Sequence, residues 1–380
     1  MIQYGRWLGA VLPGNPPIDK IIALCLLIIE VTGLKQWADG FKIEFWRKND
    51  DPDPEQQSDW EKRRLYPIDI GSDKYHRRKL GSATEVVATD LGLDFNDRLV
   101  KWVVKIANRN NRTGYLKGLA QGQNVAWCVR ELFKPTMFVK PEVAVEAAAH
   151  VVFTELKFRQ MRHYQFVRRS EEMERYPELV ALRKRLVYST EPFTLSRYLA
   201  GMFCLGDDPD EIKRRVEFWL NNIGRARRLN KEARKRVEAI PKREFDVDGH
   251  LCVYIKTDDD RLARALFTGK NPPAAVLAQR RNGCFQILTN KRFHTDPEFQ
   301  QSVRELFKRL STEEPRNGEK PKWFFDDRLL AVLNGSRSLK YSTPSGYSVE
   351  GVIRRMQSTL KFPKGESRGK RSQGYAHRTN

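Results

Sequence analysis

The sequence is short of the residues that most directly announce chemistry. Its 380 residues hold only six histidines and five cysteines. The cysteines, Cys25, Cys128, Cys204, Cys252 and Cys284, lie far apart, with no CxxC pair and no histidine at finger spacing. That argues against a structural zinc site and a disulfide framework, and it suits reduced, buried thiols in a cytoplasmic protein. No GxSxG elbow, GxxxxGK[ST] phosphate loop, GxGxxG fingerprint or HExxH pair occurs, so the commonest hydrolase and nucleotide-fold signatures are missing. Long apolar runs are lacking too. The nearest, IIALCLLII, is bracketed by Lys20 and Glu30 and falls short of the ~20 residues a bilayer requires. No cleavage pattern of small residues follows it before Lys35. It reads as a buried helix, and no membrane partner is expected.

What is abundant is positive charge. Sixty-nine lysines and arginines against 48 acidic residues give a formal charge of +21, which favours polyanionic partners, nucleic acid or a polyphosphorylated ligand. With 40% hydrophobic and 11% aromatic residues the chain can bury substantial cores, and its length predicts two or three domains.

Along the chain, a strand over 5–12 ends at Pro13-Gly14-Asn15, and a helix starts at Pro16, where a missing amide hydrogen costs nothing. FKIEFW (41–46) alternates as a strand does, the polar DDPDPEQQSDWEKRR after it reads as a loop, and LYPIDI (65–70) as a third strand. Ser82 and Glu85 form a capping box that opens a helix, and a further helix over 96–107 runs out into Asn108, Arg109, Asn110 and Asn111. Strands alternating with helices imply a parallel sheet with its ligand at the strands' carboxyl ends. From about 116 to 243 the pattern is helical and closes on the basic run IGRARRLNKEARKRVEAIPKR, a solvated helix face or a nucleic-acid track. A second α/β lobe follows: strands over 251–255, 274–279 and 285–289, and helices over 261–267, 297–310 and 348–360. The tail beyond Phe362 is nearly devoid of apolar residues and is expected to be disordered.

Asp19, Asp69 and His76 recur just past strands or in first helical turns of the first lobe. Carboxylate and imidazole are ligands for a hard divalent cation such as manganese or magnesium. Equally, Asp19 can complement a helix amino terminus, Asp69 order a turn and His76 lie on the surface. In the second lobe Arg280 and Arg281, preceding Gly283, can pair phosphate oxygens, and Asn334, Gly335, Ser336 and Arg337 can offer backbone amides to an anion or form an ordinary turn. Trp323, Phe324 and Phe325 can stack a base or, as such triplets more often do, pack a core.

The series GNPPIDKIIALCLLI, IDIGSDKYHRRKLGSATEVVATDLGL and VVKIANRNNRTG resembles the successive motifs of the DHH phosphoesterase superfamily, which includes RecJ-like nucleases and oligonucleotide phosphodiesterases. VYIKTDDDRLARALF, AAVLAQRRNGCFQILTN and LLAVLNGSRS similarly look like its DHH-associated, substrate-gripping domain. The resemblance implies an α/β fold: a parallel-sheet DHH-like domain over 1–135, a helical connector over 136–245, a smaller α/β DHH-associated domain over 246–362 and a basic tail. It implies Asp19, Asp69 and His76 as metal ligands, with Asn110 or Asn111 where a further aspartate is expected. Arg77, Arg280, Arg281, Gly283 and the 334–337 loop would meet substrate. The motifs are degenerate. Pro17 stands where a ligand is expected, Asp-His-His has become KYHRR, and Arg77 and Arg78 would repel a cation. A dinuclear centre, which clamps water and phosphate between paired cations, is therefore not expected. The function implied is binding of a nucleotide or short single-stranded nucleic acid in an interdomain cleft, with metal-dependent phosphodiester hydrolysis if catalysis survives. The alternative is a catalytically inactive binding or assembly protein.

Overall fold

A computed structural model describes residues 7–14, 16–32, 41–46, 52–70, 81–113, 124–161, 172–189, 191–269, 271–313, 323–326, 330–334 and 344–363. They form a mixed α/β fold with two sheets and several helices, dividing into two compact units at 229/230. No described helix is long and apolar enough to cross a membrane. All five cysteines are buried thiols.

The first unit is built on a three-stranded parallel sheet in the order β2-β1-β3, comprising β1 (Gly9–Pro13), β2 (Lys42–Trp46) and β3 (Leu65–Pro67). Alternation along β1 assigns its two faces. Ala10 and Leu12 join the large core beneath the apolar helix α1 (Ile18–Thr32), whereas Val11 packs with Trp60, Leu65 and Ile70 on the other side. Trp60 belongs to α2 (Pro54–Lys62), a helix where the sequence reads as a loop. Its start follows from Asp53, whose carboxylate accepts from the Gln56 amide at 2.7 Å, and from Pro54 at the first helical position. Burial of Trp60 alone, in edge contact with Trp46, fastens the helix to the sheet.

Next come α3 (Ala83–Asp90), α4 (Arg98–Thr113), α5 (Val125–Leu132), α6 (Pro141–Gln160), α7 (Pro177–Lys184), α8 (Leu195–Leu205) and the 28-residue α9 (Pro209–Arg236). The sequence sets 136–245 apart as a connector. Instead Ala148, Val152, Leu199, Trp219 and Ile223 share one continuous core with Leu12, Ile21 and Leu24, so most of that segment completes the first unit. Its apolar stripes face the helices that cover the first sheet, because three strands alone offer too little surface to bury them.

The second unit carries a six-stranded mixed sheet in the order β4-β5-β6-β7-β9-β8: β4 (Lys242–Val247), β5 (His250–Lys256), β6 (Ala275–Gln279), β7 (Phe285–Thr289), β8 (Phe324–Asp326) and β9 (Ala331–Leu333). Only β5 and β6 pair in parallel, and α10 (Asp260–Ala265) lies between them in sequence. Cys252, Leu277, Phe285 and Ile287 face α11 (Pro297–Thr312) and α12 (Val349–Thr359), while Val253, Ile255, Val276 and Ala278 face α10 and Ala233 and Val237 at and after the end of α9. The sheet begins four residues before the expected boundary at 246, because KREFDV is an exposed edge strand whose charges read as a helical surface; such charges also block pairing of the edge with another chain.

Candidate functional site

In the first unit the carboxyl ends of β1 and β3 lie side by side, since the two strands pair in parallel register from Gly9↔Leu65 to Val11↔Pro67. Two of the expected ligands converge there. Asp19 sits in the first turn of α1, immediately after β1, and is buried. Asp69 follows β3 in a left-handed conformation, φ 54°, which aspartate tolerates better than bulky residues do. The Lys20 ammonium ion-pairs with the Asp69 carboxylate and so ties the start of α1 to the turn after β3.

The start of α3 closes on the same edge. Thr84 Oγ1 donates to the Asp19 carbonyl at 2.6 Å. Ser82 caps α3 by accepting from the Glu85 amide at 3.3 Å, as expected from the sequence. The return bond of the box is displaced by one residue: Glu85 Oε2 accepts from the Gly81 amide at 2.7 Å and also from Asn108 Nδ2 at 2.8 Å. Asn111 Nδ2 donates to the Gly81 carbonyl at 2.7 Å, and Asn110 is buried. Asn108, Asn110 and Asn111 belong to α4 and not to a loop beyond it, because the amphipathic pattern of the helix carries on through Thr113. Sheet edge, α1, α3 and α4 thus assemble Asp19, Lys20, Asp69, Thr84, Glu85, Asn108 and Asn111 into one polar region. Lys20, Thr84, Glu85 and Asn108 went unmarked in the sequence; the signal for Glu85 was the capping box itself.

His76 and Arg77 lie outside the described residues. Among the described residues no three of histidine, cysteine, aspartate and glutamate converge as a metal-holding group. With Lys20 placed against Asp69, where a cation would sit, this donor set does not fit a two-metal centre, and no step of chemistry is derived through one.

The second unit has its own polar cluster, where β5 and β6 end and β7 begins. Arg280 is buried, its Nη2 donating to Asp260 Oδ1 at 2.7 Å, and Gln286 lies beside the same guanidinium. Arg281 is 88% exposed and held loosely: its amide donates to Asp258 Oδ1 at 3.1 Å and its Nε lies 3.4 Å from Oδ2. The two arginines therefore diverge, one structural in its bonding and one facing solvent. Gly283 turns the β6–β7 hairpin at φ 83°, and its amide donates to the Arg280 carbonyl at 3.0 Å. An added Cβ would be strained there and would also approach Pro344 Cβ to 3.1 Å. Asn334 follows β9 and is buried; its backbone amide donates to the Phe285 carbonyl at 2.7 Å, yet neither polar atom of its side chain has a hydrogen-bond partner among the described residues. A buried amide left unsatisfied is costly and calls for an explanation. Gly335, Ser336 and Arg337 lie outside the described residues. Trp323 is buried and Phe325 stacks on Phe307 at 5.8 Å, so both pack the core of this unit.

No family model and no curated protein matches the chain. Among solved structures it is similar to that of an uncharacterized protein from Helicobacter pylori, with 8% identity, 92% of this chain and 99% of that chain covered, and a TM-score of 0.27. A likeness at that level carries no argument about function.

Proposed function

We propose that this chain is a DHH-like protein that binds a phosphate-bearing ligand, a nucleotide or a short single-stranded nucleic acid, at the carboxyl edge of its first sheet. The observation that carries the reading is the junction of Asp19, Lys20, Asp69 and Thr84 where β1 and β3 end. Open parallel sheets take their ligands at that edge, and the amide groups in the first turn of α1 favour an anion. The formal charge of +21 draws polyanions toward the molecule. In the second unit, taken by itself, exposed Arg281 and the Asn334 side-chain amide, which has no hydrogen-bond partner among the described residues, are groups suited to polar contacts with a phosphate-bearing ligand.

Binding without turnover is favoured over hydrolysis because Lys20 neutralises the Asp69 carboxylate. A divalent cation would have to displace that ammonium, and manganese or magnesium then supports at most a mononuclear reaction with Asp19 and Asp69 as ligands.

The test is equilibrium binding of labelled short RNA and DNA strands across a range of salt, followed by incubation with manganese. Affinity falling steeply with salt, as counterion release requires, supports the reading; a flat response contradicts it. Hydrolysis abolished by Asp69→Asn would establish the metal-dependent alternative, and absence of turnover would leave the binding function alone.

A further inference from the structure

Phe138 is the most exposed phenylalanine among the described residues, at 82%. It follows the short 3-10 turn Pro135–Met137, and its backbone is left-handed at φ 52°. A bulky residue is unfavourable in that conformation because Cβ crowds the neighbouring carbonyl. Burial would offset the strain, and here there is almost none. Met137, one residue earlier, is buried in the core and fixes the turn. Arg225 of α9 donates from Nη1 to the Met137 carbonyl at 3.2 Å, and its guanidinium carbon lies 4.9 Å from the Phe138 ring centroid. One ring face therefore carries an anchored cation and the ring is otherwise open to solvent.

Exposed cations stand close in sequence and on α9, and the acidic residue nearest after Phe138 is exposed Glu142. Arg228, one turn beyond Arg225 on α9, is exposed, as is Lys140, two residues after Phe138. Glu131, the nearest preceding acidic residue in the chain, is engaged by Lys134 Nζ at 2.6 Å.

We propose that Phe138 stacks an unpaired base of single-stranded nucleic acid, with Arg225 holding the ring and Arg228 and Lys140 meeting flanking phosphates. Every base has a π face, so an exposed aromatic ring among cations suits a single strand irrespective of sequence. A partner contacting the ring by apolar burial alone would gain nothing from the cations around it. The contact uses none of the residues of the sheet-edge site, and its test reads affinity and not hydrolysis.

Full-length protein and its Phe138→Asn, Phe138→Trp and Arg228→Gln variants are titrated into labelled oligouridylate and into an abasic strand of equal length. Asparagine tolerates a left-handed backbone, so Phe138→Asn removes the ring without adding strain. The expected result is an affinity loss of about 5-fold to 150-fold for Phe138→Asn, with the salt slope unchanged and affinity recovered in Phe138→Trp. The abasic strand should bind wild type as weakly as oligouridylate binds Phe138→Asn. Arg228→Gln should flatten the log–log salt slope by about 0.7, the value for one phosphate on a single strand. Equal affinity of wild type and Phe138→Asn, or equal binding of the abasic strand, overturns the platform and leaves the sheet-edge reading standing. Absence of any binding overturns both.

Discussion

The ammonium of Lys20 lies against the carboxylate of Asp69, joining the first turn of α1 to the residue after β3 across two paired parallel strands. Both side chains are mostly shielded from water, so their attraction is screened less than that of a surface pair. A double-mutant cycle with Lys20→Met and Asp69→Asn, read by urea denaturation, should give a coupling of about 1 kcal/mol. Asparagine is the right replacement because it keeps the left-handed backbone at position 69 accessible. Zero coupling would show that the pair does not organise the sheet edge.

Asn334 offers a test in which stability and binding move in opposite directions. Among the described residues its buried side-chain amide has no hydrogen-bond partner, so Asn334→Leu removes an unsatisfied group while filling a similar volume. Stability should rise by about 1 kcal/mol, and affinity for single strands should fall. A variant that loses stability would mean the amide is satisfied in solution.

His150 and Tyr198 form a half-buried polar contact between α6 and α8, with Nδ1 and the hydroxyl oxygen 2.7 Å apart. Burial, reinforced by Arg215, Lys157 and Arg214 and opposed by Glu211, lowers the His150 pKa from 6.5 to about 4. Between those values the unfolded chain binds a proton that the folded one refuses. The contribution to stability is therefore fully present above pH 6.5 and is lost as pH falls toward 4, by on the order of 3 kcal/mol. Denaturant titrations from pH 7 to 4 should show this slope, and His150→Gln should flatten it; an unchanged slope would place the acid sensitivity elsewhere.

Gly201 lets α8 approach α6 closely: a Cβ at that position would stand 2.7 Å from Thr154 Cγ2. Gly201→Ala should cost about 1–3 kcal/mol, as overpacking does. Thr154→Ser removes the obstructing methyl while keeping the hydroxyl that donates to the His150 carbonyl. Adding it to Gly201→Ala should restore most of the thermal stability. No recovery would mean that the two helices are not in contact at this point.

Much of the fold was legible because period and capping act locally. Ser82 caps the helix that follows it, the strands over 275–279 and 285–289 stand where β-branched and apolar residues cluster, and α12 follows its amphipathic stripe. The helix over 54–62 was missed because it buries one side chain, Trp60, and its other residues look like loop. The edge strand KREFDV was missed because one of its sides has no partner strand and it carries helix-like charge. At the candidate site, the location of Asp19 and Asp69 at strand ends could be read from order alone. The pairing of Asp69 with Lys20 and of Arg280 with Asp260 could not, since each joins residues whose proximity depends on strand register. Phe138 gave no signal in sequence, as nothing in PTMFVK announces a left-handed, exposed ring.

Hydrogen exchange of the full chain, with and without a saturating short single strand, tests the central claim most directly. Amides in the first turn of an α-helix lack intrahelical partners, so exchange there reports ligand contact. Binding at the sheet edge predicts slowed exchange at 18–19, 69–70 and 82–84. Bound strand with those segments unprotected would contradict the assignment of the site.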